Sequence, residues 1–512
     1  MGKKRLIINL VSSIFAFAVQ MGISFVLTPK IVEQLGEEAY GFIGLANNFI
    51  SYATIVTVAL NSMSSRYITI EMHKGNNDKA NEYYSSTFVA NLILSVIILI
   101  LSIFMIINLV HIVNIPDGLV VDVQITFSLA SVNFMITLLT TVFNVATFAK
   151  NRLDLASIRN IIANILKSIL LIVLFALLKP KIYYISIATI LYTLYVAIEN
   201  MRITKRIAPE LKVKFKQFKT KAVKTLITSG IWNSINSLSR ILLTGLDLLI
   251  ANLLVSPYSM GLLSIAKTIP TAIESLLATI GNVFTPQFTI LYSQNKIDEL
   301  VKEAKFSIKL LSLIMTVPIA GIIVFGTSFF SLWLKSKNSE EIMQIQILSV
   351  LSLLPYVLSA YIYTLSSLDT VTNKLKRPVI ASLIMSIVST VTVFIVLKTT
   401  NLGIYAVAGV SSLYWVIKIL VFNPINAAYN LKIKLNTFYP PFFKAIACLL
   451  IIIAMFCIVN RFILIDSWFK LIALSIFVGT LGYIINYCVL LNREEKNKVK
   501  SMALKFMRLK NV

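Results

Sequence analysis

The chain has 512 residues, 57% of them hydrophobic and 13% charged, with a mean hydropathy of +0.84 and a formal net charge of +25. So few charges over such a length exclude a soluble globular protein, and the concentration of most basic residues in alternate loops argues against a nucleic-acid binder. The composition is that of a polytopic membrane protein with no soluble domain between its apolar runs.

A helix needs about 18 apolar residues or more to cross the hydrocarbon core. Such runs fall at 6–28, 41–63, 87–109, 123–148, 158–178, 182–201 and 226–254. They continue at 260–291, 307–330, 342–365, 379–397, 402–422, 442–459 and 468–491, about fourteen in all. The first run exceeds a signal-peptide core of roughly 7 to 15 residues, so the opening MGKKR followed by 6–28 reads as a retained first span. Counted from Lys3, Lys4 and Arg5, alternate loops collect Arg66, Lys74 and Lys79, then Lys150, Arg152 and Arg159, then a dense basic run at 202–224. The same side gains Lys296, Lys302 and Lys305, then Lys374, Lys376 and Arg377, then Lys432, Lys434 and the tail. The positive-inside rule therefore predicts a multi-pass membrane protein with both termini in the cytoplasm and an even number of spans.

The chain also repeats. At an offset of 220 positions, YGFIGLAN (40–47) aligns with MGLLSIAK (260–267), and Asp78 aligns with Asp298. Spans one to six then correspond to spans seven to twelve in the same orientation, which predicts a pseudo-twofold axis along the membrane normal. The expected organisation is a six-helix bundle at 1–201, a basic linker at 202–225 and a second six-helix bundle at 226–422. Two additional spans at 423–491 and a basic cytoplasmic tail at 492–512 complete it. In the tail, Val499, Met502, Phe506 and Leu509 share a helical face apart from Lys505, Arg508 and Lys510, the pattern of a helix lying on the membrane surface.

Ionisable side chains inside the spans are the candidate functional residues, because a charge at membrane depth needs a partner, a cavity or a substrate path. Arg240 and Asp247 lie seven apart in span seven, and Lys267 and Glu274 lie seven apart in span eight with Pro270 between them. On regular helices each pair shares a face, and an antiparallel hairpin sets Asp247 against Lys267 and Arg240 against Glu274. Two readings follow: the four neutralise one another and fix packing, or they border a cavity in which Arg240 and Lys267 meet an anionic group. In the second, Asp247 and Glu274 hold the cations in register or exchange a coupling ion. Lys167 in span five, Lys418 in span twelve and Arg66 at the end of span two extend the cationic set. Lys309 and Lys444 sit close enough to an interface to snorkel.

The segment FVLTPKIVEQLGEEAYGFIGLAN (25–47), followed by NSMSSRYI (61–68), resembles the opening of the polysaccharide-exporter branch of the MATE-like superfamily, which includes the flippases for O-antigen and capsule repeat units. Pro29, Leu35, Gly36, Tyr40, Gly41 and Arg66 carry the match. The resemblance implies two six-helix bundles around a central cavity that passes a polyprenyl diphosphate-linked oligosaccharide, with membrane lipids, a polysaccharide polymerase and glycosyltransferases as candidate partners. A cationic interior suits an acidic lipid headgroup better than a cationic drug, which leaves a cation-coupled small-molecule exporter as the alternative. An enzyme is the weaker expectation, with no catalytic residue, metal site or cofactor named. The two histidines, His73 and His111, form no zinc motif, and no Gly-rich phosphate loop of the ATPase type is present. Of Glu33, Glu37 and Glu38, the acidic cluster of the first outer loop that an enzyme would use, Glu37 and Glu38 are expected to open span two at the positive end of its helix.

Overall fold

A computed structural model describes residues 3–150, 152–281 and 284–508, without the side chains of 3–11, 13, 14, 286 and 501–508. The basic side chains of Lys3, Lys4 and Arg5 and the expected tail face at Met502, Phe506 and Leu509 lie outside the described residues. Everything regular in the described residues is helical. Among the described residues thirteen helices are long and apolar enough to cross a membrane, and a fourteenth span arises if the bent pair Thr220–Gly245 and Asp247–Leu254 counts as one. The chain divides into two compact units, Met1–Ser264 and Ile265–Val512.

In the first unit, α1 (Lys3–Leu35) and α2 (Glu37–His73) are separated by Gly36, whose φ of 83° favours glycine. Glu37 and Glu38 occupy the first turn of α2, as expected for carboxylates at a positive helix end. Then come α3 (Asn77–Ile107), α4 (Val120–Thr140), α5 (Leu153–Leu177), α6 (Tyr183–Ile207), α7 (Thr220–Arg240) and α8 (Asp247–Leu254). Helices α2 and α7 lie in close contact, because small residues let the backbones approach. A Cβ on Gly230 would stand 2.0 Å from the Ala59 carbonyl oxygen. Around that point Ser234 Oγ donates to the Ile55 carbonyl at 2.8 Å, Asn233 reaches Ser62 at 3.0 Å, and Tyr67 meets Ser229 at 2.9 Å. Inside α3, Asn91 exchanges side-chain hydrogen bonds with Asn61 and donates to the Leu138 carbonyl, joining α2, α3 and α4 with polar groups fully satisfied.

The basic linker is strapped to α3 rather than left in solvent. Asn81 accepts from the Lys212 amide at 2.8 Å and donates to the Glu210 carbonyl at 2.9 Å. Ser85 Oγ takes the Lys214 amide at 2.9 Å and Ser86 Oγ takes the Lys219 amide at 3.0 Å. Ion pairs Lys219–Glu82 at 3.0 Å and Lys150–Glu210 at 2.9 Å flank these bonds.

Helix α9 (Pro257–Ala266) leads into the second unit and stops one residue before α10 (Thr268–Gly281). Pro270 explains the stop, since its ring crowds the carbonyl four residues back, at Ala266. After α11 (Thr285–Ser293) come the long α12 (Ile297–Trp333) and α13 (Ser339–Ile362), the latter opened by a capping box between Asn338 and Glu341. Within the spanning window of α13, 72% of residues are buried, so it forms the centre of this unit. The remaining helices are α14 (Leu365–Val371), α15 (Lys376–Thr399), α16 (Ile404–Ile417), α17 (Asn423–Leu431), α18 (Tyr439–Phe462), α19 (Trp468–Leu490) and α20 (Arg493–Arg508). Span twelve runs past its expected end to Leu431 through a π-helical turn at Lys418–Phe422. The last two spans rest on α12, where Gly479 and Gly482 leave space for Val317. Lys309 meets Glu495 of α20 at 2.7 Å, so this lysine is paired with an acid. Lys498 likewise bonds Glu303.

Candidate functional site

The first unit encloses a small polar cavity of about 110 Å³ within its spans. Helix α2 contributes Asn47, α4 contributes Thr126 and Asn133, α5 contributes Lys167, and α6 contributes Ser186 and Thr189. The position of Lys167 follows from α5 itself: Ile165, Ile169 and Ile172 are exposed on its outer face, while Ala163, Ser168 and Leu171 are buried. Among the described residues no acidic side chain pairs with Lys167, and the Asn133 Oδ1 atom is buried without a hydrogen-bond partner. With amide and hydroxyl groups and no carboxylate lining its cavity, Lys167 has no acidic side chain there to compete with an incoming anion. A second, almost wholly apolar cavity of about 290 Å³ shares Ala46, Ile50 and Ala130 with it and is closed by Phe49, Tyr52, Phe127 and Phe134.

Span seven departs from the regular helix that the sequence suggests. A π-helical turn occupies Ile241–Gly245, and the axis bends by 41° before Asp247. Arg240 and Asp247 therefore flank a break, and their seven-residue spacing no longer places them on one face of a straight helix. Arg240 is exposed, whereas Asp247 is 5% exposed at the first turn of α8. The break leaves the Gly245 carbonyl outside the helical ladder, and the sequence supplies two replacements for the lost donor: Asn48 at 2.9 Å and Tyr52 at 2.7 Å. Arg66 is exposed near the end of α2.

In the second unit, Lys267 stands half-buried at the break between α9 and α10, and Glu274 accepts a hydrogen bond from Tyr356 at 2.9 Å. Lys418 begins the π turn of span twelve, half-buried, and faces a carboxylate the sequence reading did not single out. Asp369, on α14 between spans, is 9% exposed and accepts from Asn426 at 2.7 Å and Asn430 at 2.9 Å, while Lys374 Nζ donates to the Asn430 carbonyl at 3.1 Å. Burial pushes the Asp369 carboxyl up to about 7, against the two amides and the Lys418 ammonium, which pull it down.

Arg159 also differs from its expected place. Counted among the loop charges, it is instead 6% exposed on α5, where its guanidinium bonds Asn200 and, at 3.2 Å, Asn144. The signal was present as asparagines inside otherwise apolar spans, which need such a partner.

Comparison with known proteins places this architecture. Residues 6–292 match the family described as Polysaccharide biosynthesis protein. A Bacillus subtilis (strain 168) relative, "Uncharacterized membrane protein EpsK", is 26% identical over 492 residues, covering 96% of this chain and 97% of its own. Among solved structures, "Lipid II flippase MurJ, inward closed conformation" superposes with a TM-score of 0.66 at 15% identity, over 93% of this chain and 97% of that one. An inward-facing multidrug resistance MATE family transporter of the MOP superfamily gives 0.65 at 14% identity, over 83% and 99%. A MOP superfamily transporter from Pyrococcus furiosus gives 0.64 at 15% identity, over 85% and 100%. At these identities the likeness is one of fold.

Proposed function

Since the chain belongs to the polysaccharide biosynthesis protein family and is a multi-pass membrane protein with the fold of MOP-superfamily transporters, we propose that it is a flippase for a polyprenyl diphosphate-linked oligosaccharide. The lipid-linked unit, of the O-antigen, capsule or a related type, moves from the inner to the outer leaflet by alternating access. The observation that carries this reading is Lys167, a cation within the spans whose cavity holds neutral polar groups and no acidic partner among the described residues. The barrier to be lowered is the transfer of an ionised diphosphate and its sugars through hydrocarbon. A fixed ammonium lowers it for an anion and raises it for a cationic drug.

In this reading Arg240, Lys267, Lys418 and Arg66 are the further substrate-binding cations, and Asp247 and Glu274 are charge-pairing or ion-coupling carboxylates. The charge bias of the loops supports a cytoplasmic position for both termini. The two-bundle division at the basic linker describes the ancestry of the chain, as supported by the offset of 220 positions. Glycosyltransferases that build the unit and a polymerase that consumes it are the expected partners.

The test is a deletion strain. Loss of surface polysaccharide, with build-up of the lipid-linked unit in the inner leaflet and restoration by the wild-type chain, is the expected result. Intact polysaccharide together with sensitivity to cationic drugs would instead assign the chain to small-molecule export.

A further inference from the structure

The strapped linker creates a third cavity, apart from the polar one around Lys167 and the apolar one beside it. It measures about 680 Å³ and lies where the N-terminal part of α3, the end of span four and the end of α6 meet the linker. Phe88, Phe143 and Phe215 form its wall, with ring centroids 6.2 Å apart for both Phe88–Phe143 and Phe88–Phe215. Lys205 and Lys212 also line it. Tyr84 lies against Phe143 at the base, and its hydroxyl is buried without a hydrogen-bond partner. Phe215 is 65% exposed in a linker that is otherwise rich in lysine.

These features describe a ligand with two ends. Three aromatic rings lining an open groove at a helix end match a hydrocarbon chain, and an aromatic left exposed among lysines at that level is characteristic of a membrane interface. Two ammonium groups require an anionic head. By the positive-inside reading, this end faces the cytoplasmic leaflet, where anionic phospholipids supply that chemistry in large excess over any carrier lipid. We infer that the groove is a binding site for one anionic glycerophospholipid, its acyl chain against Phe88, Phe143 and Phe215 and its phosphate between Lys205 and Lys212. The site does not depend on the flippase reading, because it concerns a resident lipid rather than cargo.

Delipidated full-length protein in neutral detergent tests this, with thermal stability and lipid retention in native mass spectrometry as readouts. The probes are phosphatidylglycerol, phosphatidylcholine of the same chains, inorganic phosphate and a polyprenyl diphosphate. Phosphatidylglycerol is expected to be retained and to stabilise the protein, with little response to phosphatidylcholine or phosphate. K205Q/K212Q should weaken its apparent affinity by roughly tenfold or more. K432Q/K434Q, at another basic site, should change nothing. Unaltered binding by K205Q/K212Q overturns the inference, as does equal loss in K432Q/K434Q or an equal response to phosphatidylcholine or phosphate. Tighter, lysine-dependent binding of the polyprenyl diphosphate would also overturn it, by making the groove a substrate site.

Discussion

Asp369→Asn removes a buried charge while keeping an oxygen for the Asn426 and Asn430 amides to donate to. The wild-type carboxyl is raised from 3.8 to about 7 by burial. A carboxyl raised in the fold is neutral in both states at low pH. Between the two values, the unfolded chain ionises first, so stability falls as pH rises from about 4 to about 7 and then levels off. At 1.36 kcal/mol per unit, the full penalty is on the order of 4 kcal/mol, and the part that accrues between pH 5 and pH 8 is at most about 3 kcal/mol. D369N should lack it, matching the wild type near pH 4 and exceeding its stability at pH 8. The assay is unfolding in mixed micelles titrated with dodecyl sulfate at several pH values, followed by tryptophan fluorescence. Trp415 serves as reporter, its ring 5.1 Å from that of Tyr356 in the same unit. Parallel loss of stability by both proteins from pH 5 to 8 refutes the argument. A wild type that gains on D369N would show that attraction to Lys418 outweighs burial.

Three further outcomes follow from the packing. G230A forces a Cβ to 2.0 Å from the Ala59 oxygen and should cost about 1 to 3 kcal/mol or more by overpacking, whereas G118A, with nothing within 4 Å, should melt with the wild type; equal melting of all three removes the close α2–α7 contact from the account. K167Q should cut export of the lipid-linked unit by roughly tenfold or more at normal membrane abundance, because a group that meets charge at membrane depth is lost without leaving a carboxylate unpaired; undiminished export makes the ammonium structural. E495Q weakens the 2.7 Å contact with Lys309 and should speed tryptic cleavage after Lys496 and Lys498 by several-fold, and an unchanged rate would mean that other contacts hold α20.

The span count was legible because hydropathy is set by residues that face lipid, and these dominate each run. Helix ends were less so. Helix α2 continues to His73, ten residues beyond the apolar run that ends at Met63, since a helix leaving the membrane keeps its hydrogen bonds while losing its apolar signature. Pro270 announced the break at Lys267, but nothing comparable announced the π turn at Ile241–Gly245. That turn is stabilised by Asn48 and Tyr52 from 193 or more residues away, and a local pattern carries no record of such donors. Charges followed the same logic. Lys167 stood out because it interrupts an apolar run, whereas Asp369 lies between runs and Arg159 sits close to a loop, so both read as solvated until the fold brought asparagines to them.

The linker strap grips main-chain amides at Lys212, Lys214 and Lys219 through Asn81, Ser85 and Ser86. None of these three bonds uses the linker's side chains. Apart from Lys219, which also pairs with Glu82, the strap can exchange its lysines for other residues over evolutionary time, retuning its meeting with lipid while the fold beneath it stays in place.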